Sequence, residues 1–301
     1  MTHTVEELGA KMDALGIWEL LEPYNFAVKP LGTVLPYFCT VLKGDEKPVK
    51  TRFLMLEGWQ TLHDFVFTRH NNNYGFYSTP AEMPHFELVV PSKGRPMAFR
   101  HDPGYMPLPV AGAQRDLVVR ILWEAFGVML RVEADRQLPL KFIEDRAIFA
   151  RVEKAKGKWV DEPLVIPDPP PHVETIAFSK DSVKAAKDLP LVEDFAIEVD
   201  FALRPGVMTK DPRPRCVYAL VAADAKTGEM VIDSQTSVQP DGGLRSLWES
   251  MPPQLLREIV RIGKVPGEIK VRSARVFRML RPLLHELQLK LSLHDKLDHL
   301  P

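Results

Sequence analysis

Between residues 117 and 130 the chain is almost wholly apolar, while Asp116, Arg120, Glu124 and Arg131 step down one side at three- and four-residue intervals. That spacing predicts a helix over 113–132, buried around most of its circumference against a sheet. Upstream, Leu8, Met12, Leu15, Trp18, Leu20 and Leu21 give a second helical stripe over 4–22, with Thr4 and Glu7 at capping-box spacing. Apolar runs over 33–42 and 49–56 flank a polar turn at 43–48 and read as strands. Residues 59–69 favour a helix through Trp59, Leu62, Phe65 and Val66, although Phe65-Val66-Phe67 would also suit a buried strand. A short strand over 85–90 and a hairpin, 147–153 with 158–165, complete this half.

The second half alternates more clearly. After a short helix near 181–187, Ile197, Val199, Phe201 and Leu203 share one face of a strand over 196–203. Strands at 216–222 and 230–237 follow, joined by the turn Asp224-Ala-Lys-Thr-Gly228, whose glycine suits a positive φ. A helix over 244–262 is expected to break at Pro252-Pro253. A strand at 268–272, a leucine-rich helix at 273–288 and a strand at 289–293 end the series. The order is β-β-β-α-β-α-β.

Composition sharpens this pattern. The 301 residues are 45% hydrophobic and carry 39 basic against 40 acidic side chains, so disordered, collagenous and strongly nucleic-acid-like classes are excluded. The balance holds in both halves, with 20 basic and 21 acidic residues up to 165 and 19 of each beyond. Two cysteines, Cys39 and Cys216, far apart in sequence, point to a reduced, cytoplasmic chain, not to a disulfide framework. Neither a secretory leader nor an apolar membrane span is expected, and hence no membrane partner. Proline is enriched, at 27 residues. Five fall in 163–171, which reads as an extended linker between a domain at 1–165 and another at 172–301. Seven more fall between Pro80 and Pro109 and imply stiff loops there.

Two stretches carry a resemblance. Val221-Ala-Ala-Asp224-Ala-Lys-Thr-Gly228 looks like the meander turn, and Pro266-Gly-Glu-Ile-Lys-Val-Arg272-Ser273 looks like the strand after the first helix, of the ribonuclease H-like fold of integrase and transposase cores. The likeness covers about residues 195–294. The whole chain is also similar to an uncharacterised two-part bacterial family of domains of unknown function, through Phe99-Arg100-His101-Asp102-Pro103-Gly104-Tyr105-Met-Pro107 and Ile269-Lys-Val-Arg272 before a leucine-rich helix. The expected fold class is therefore α+β: an N-terminal α+β domain followed by a ribonuclease H-like domain.

The integrase-type reaction needs carboxylates on the first strand, after the fourth strand and on a later helix, to hold two divalent metals. Asp200 meets the first requirement, with Glu198 beside it. Arg272-Ser273 stands at the second, and Glu286 is the available third. The acidic set is incomplete, so the leading expectation is a non-catalytic binding or adaptor protein without a cofactor or resident metal. A protein partner is favoured over nucleic acid. The rival is a divalent-metal-dependent nuclease or nucleotidyl transferase using Asp200 and Asp224. The plain structural alternative for Glu198 and Asp200 is a solvated face of an edge strand.

Three further features invite a binding role. Arg272, Arg275, Arg278 and Arg281 repeat at three-residue steps, inside a segment 257–281 with eight basic and two acidic residues. They could track phosphates, or form an ordinary solvated face opposite the leucines. Nine of the 26 aromatics fall in 59–105 among cations, so Tyr74, Tyr77, Arg100, His101 and Tyr105 are the candidate ligand or partner surface. His294, Asp295, Asp298 and His299 carry metal-ligand chemistry, but a frayed, solvated tail is the simpler expectation. No Walker loop, Gly-x-Gly-x-x-Gly, Cys pair, His-Glu-x-x-His or Gly-x-Ser-x-Gly is present.

Overall fold

The computed structural model describes residues 3–16, 26–43, 48–69, 80–138, 146–168, 176–207, 213–239 and 243–300. The chain divides into two compact units. The first comprises Met1–Val66, Thr79–Asp102 and Pro107–Pro170; the second comprises Phe67–Ser78, Pro103–Met106 and Pro171–Pro301.

The first unit is built on an eight-stranded sheet of β1 (Phe26–Lys29), β2 (Tyr37–Lys43), β3 (Val49–Glu57), β4 (His85–Pro91), β5 (Met97–His101), β6 (Leu108–Pro109), β7 (Ala147–Lys154) and β8 (Lys158–Val165). Their spatial order is β6-β5-β4-β3-β2-β1-β7-β8. All neighbours are antiparallel except β1 and β7, which run parallel. Helices α1 (Val5–Ala14) and α3 (Gly112–Ala134) cover one face, where Phe53, Met55, Phe86 and Leu88 meet Leu8, Met12, Ile121 and Val128. Alternation along the strands sends Leu54, Leu56, His85 and Glu87 to the opposite face. There Trp59, near the start of α2 (Gly58–Arg69), packs on Phe38 with ring centroids 4.8 Å apart.

Several sequence expectations change in this unit. The α1 helix ends at Ala14, where Gly16 takes a positive φ; the rest of the expected helix, 17–22, lies outside the described residues. Residues 163–165 are not linker. They end β8, where Pro163 pairs with Phe149, and β8 is an edge strand, where a missing N–H is tolerated. The α3 helix is buried on one side only: Trp123 and Leu130 are exposed on the other. Glu124, expected on its polar stripe, is buried because it accepts from Arg151 Nε at 2.7 Å.

The second unit follows the expected element order. Helix α4 (Lys180–Lys187) precedes β9 (Leu191–Val207), β10 (Cys216–Asp224), β11 (Met230–Thr236), α5 (Gly243–Ile262), β12 (Val265–Val271), α6 (Ala274–Leu287) and β13 (Lys290–Leu293). The strands lie in the order β11-β10-β9-β12-β13. The meander β9-β10-β11 is antiparallel, and β12 and β13 join it in parallel, each after a helix. One face of β9 and β10 (Ile197, Val199, Phe201, Tyr218, Leu220) forms the main core with α4, α5 and α6. Helix α5 runs unbroken through Pro252-Pro253, carried by the buried face of Leu247, Trp248, Met251, Leu255 and Ile259.

The reverse face of the same strands is covered as well. Ala219, Val221 and Ala223 pack against Leu297 and Leu300. The C-terminal residues are therefore a packed strap, not the frayed tail that their polarity suggests. Glu198 holds this strap: its carboxylate accepts the backbone N–H groups of Asp298 at 3.0 Å and His299 at 2.8 Å. Among the described residues, no helix is long and apolar enough to cross a membrane.

Candidate functional site

The chemistry expected in the second unit centres on β9. Because Ile197, Val199 and Phe201 face the helices, Glu198 and Asp200 face the strap side, on a central strand and not an edge. Both are buried, at 1% and 4% exposure, which overturns the solvated-face expectation. A buried carboxylate needs donors to offset its lost hydration. Glu198 has the two strap amides. Asp200 accepts its neighbour's amide, Phe201 N, at 3.0 Å and the Arg272 guanidinium at 2.7 Å.

Arg272 follows β12, whose register sets Lys270 opposite Glu198. The cation therefore stands at the position where the sequence resemblance calls for a second carboxylate. It binds the first-strand acid directly, and a metal would have to displace it. The other candidate acids are elsewhere. Asp224 pairs with Ile197 and Asp200 with Val221, so the two acids stand three register steps apart on strand positions of opposite parity. The Asp224 carboxylate instead closes the β10–β11 turn by accepting from Lys226 N at 2.8 Å and Thr227 N at 3.0 Å. Those two amides hold its pKa below the usual carboxylate range. Glu286 on α6 reaches Lys187 on α4 at 2.8 Å. The structure does not bring Asp200, Asp224 and Glu286 together.

The arginine ladder also separates. Arg272 is committed to Asp200. Arg275 is 1% exposed, with its guanidinium carbon 3.8 Å from the centroid of the Trp248 ring, inside the core rather than on a phosphate-facing surface. A three-residue step turns about 300° on a helix, so four residues at that spacing spread over about half the circumference and cannot share one face. Arg278 is half-buried and Arg281 exposed.

In the first unit, Tyr74 and Tyr77 lie outside the described residues. Arg100 is 15% exposed at its side chain, sits over the Phe86 ring and pairs with Glu57 at 2.6 Å and Asp102 at 2.9 Å. It is a structural cation and not part of an open surface. Tyr105 falls in the second unit, in an isolated bridge with Arg215 and with Arg213 stacked over its ring.

His101 is different. Strand β5 sets it directly opposite His85 of β4, and Glu87, two residues on, shares that face. The imidazole rings of His85 and His101 stack with centroids 4.2 Å apart. His101 Nε2 lies 2.8 Å from Glu87 Oε2, and His85 Nδ1 lies 2.8 Å from the Met83 carbonyl. Burial, with His101 next to it, pushes the pKa of His85 down to about 3, leaving its ring neutral. Sequence reasoning missed His85 and Glu87. The available signal was His-x-Glu on a strand, whose period of two puts both side chains on one face.

By its elements and mixed sheet the second unit is an α+β domain. Residues 182–301 of it match a family described as Domain of unknown function (DUF6930). No curated protein and no solved structure matches the chain.

Proposed function

We propose that this protein is a non-catalytic binding or adaptor protein whose second unit is a ribonuclease H-like domain that has lost its acidic set. The fold reading is supported by the strand order, in which an antiparallel meander is extended from its first strand by two parallel strands, each following a helix. The functional reading rests on one contact, Arg272 Nη2 to Asp200 Oδ2 at 2.7 Å. A guanidinium occupies the carboxylate that would bridge the metals, and two-metal phosphoryl chemistry fails without that bridge. A protein partner is favoured over nucleic acid because Arg272 and Arg275 are held by Asp200 and Trp248, leaving the arginine ladder too short to follow a strand of phosphates. We place the protein in the cytosol, for which Cys39 and Cys216, both buried and neither in a disulfide, are the support.

The test is incubation of the full chain with single- and double-stranded oligonucleotides in millimolar Mg²⁺, an ion that prefers oxygen donors. No cleavage, and the same Mg²⁺ titration heat in wild type and Asp200→Asn, is the expected result. Cleavage that Asp200→Asn abolishes would overturn the reading. Salt-sensitive oligonucleotide binding that weakens in Arg278→Ala plus Arg281→Ala would replace the protein partner by a nucleic acid.

A further inference from the structure

We propose that His85, Glu87 and His101 form a binding site for one divalent transition-metal ion of the zinc class. The candidate ligand atoms, one from each residue, all lie within 4.8 Å of one another. Zinc bonds to imidazole nitrogen and carboxylate oxygen are about 2.0–2.2 Å long, so ligand atoms around one ion stand roughly 3.3–3.5 Å apart. The Glu87–His101 edge is already shorter than that, at 2.8 Å, and the stacked imidazoles must turn out of their parallel arrangement for both lone pairs to meet one ion.

The surroundings are those of a prepared ligand set. His85 Nδ1 faces the Met83 carbonyl, which can only accept, so this nitrogen carries the ring proton and Nε2 carries the lone pair. That is the carbonyl-oriented imidazole found behind metal-bound histidines. The second oxygen of Glu87, Oε1, lies 3.5 Å from Arg52 Nε, which anchors the carboxylate from behind and leaves Oε2 towards His101. An ion at this site takes the place of the hydrogen shared between His101 Nε2 and Glu87 Oε2; in the ligating neutral ring Nδ1 carries the proton, and both Nε2 and Oε2 turn to the metal. The carboxylate then offsets one of the ion's two charges.

Burial argues in the same direction. His85 and Glu87 are 2% and 5% exposed within the sheet, and two stacked imidazoles with a carboxylate add nothing to apolar packing that leucines would not do better. Two nitrogens and one oxygen select zinc-class ions over calcium or magnesium, which take oxygen donors. Three protein ligands also leave a coordination position for water or a small anion. This site is in the first unit and does not depend on the reading of the second.

The experiment uses the full chain, stripped with chelator and titrated with Zn²⁺ and with Co²⁺ as a visible reporter. One ion per chain is expected. Glu87→Gln and His101→Gln should weaken binding by more than the roughly 10–100-fold that loss of an outer-sphere partner costs. The strap variants His294→Ala and His299→Ala should bind like wild type. Zinc-edge X-ray absorption of the loaded wild type should count two imidazoles, which keeps the test independent of whether a variant folds. No retained ion, fewer than two imidazoles, or undiminished binding in both Glu87→Gln and His101→Gln would overturn the proposal.

Discussion

Arg272 reaches across from the end of β12 to the carboxylate of Asp200 on β9, 72 residues earlier in the chain, at 2.7 Å. The contact decides what the strap side of the second sheet can do. A buried carboxylate with a guanidinium on one oxygen and a backbone amide on the other has its donors supplied from within the protein. Removing the cation exposes how much of the fold relies on it. Arg272→Ala should lower unfolding free energy by about 1–3 kcal/mol, because Asp200 remains buried with one charge-assisted bond missing. Asp200→Asn, which keeps the shape and removes the charge, should cost less. Urea denaturation of both variants checks the order; equal losses would mean that the buried charge left on Asp200 adds no cost of its own.

Arg275 and Arg281 look equivalent in sequence and should behave differently. Arg275→Ala empties a core position against Trp248 and should destabilise by about 2–4 kcal/mol. Arg281→Ala, on the exposed side of α6, should stay within about 0.5 kcal/mol of wild type. Thermal melting of the two variants side by side is sufficient.

The C-terminal strap depends on Glu198. Replacing it with Ala removes both acceptors for Asp298 N and His299 N, each a charge-assisted bond contributing about 1.5–3 kcal/mol. Hydrogen exchange should then show amides 297–300 losing protection while α5 and α6 keep theirs. If the strap stays protected in Glu198→Ala, the packing of Leu297 and Leu300 alone holds it.

Asp224 predicts a pH effect at the β10–β11 turn. Its pKa is lower in the folded protein than the ordinary value, so it contributes stability above that value and loses it as pH falls through the folded pKa. Asp224→Ala lacks the same two backbone bonds at every pH. The stability gap between wild type and Asp224→Ala should therefore be full near neutral pH, begin to narrow as pH falls below the ordinary aspartate value of about 3.9, and close only below the lowered folded pKa. A gap that persists in stronger acid would show that the turn does not need the carboxylate.

Much of the architecture was legible because the signals are local. The leucine stripe of α6, the alternation of Ile197, Val199 and Phe201, and Thr4 with Glu7 at the start of α1 are read within one or two turns of chain. The element order of the second unit followed from such patterns. Short segments at the sheet's end such as β5 and β6 were not legible: five and two residues with prolines between them carry too little period to stand out, and they are strands because β4 offers a ladder to β5 and β5 to β6.

The same distinction runs through the candidate sites. Sequence alone identified Asp200 as an acid on the first strand of the second unit and Arg272 as a cation after the fourth, and it placed His101 in a segment worth searching. Only the tertiary structure decided that Asp200 and Arg272 touch, that Arg275 lies in the core, that Glu198 holds the strap and that His85 faces His101. Local periodicity sets which face a side chain takes within its own element. Which residues meet across elements depends on strand register and helix docking, set by the packing of the whole core and not by any short stretch of chain.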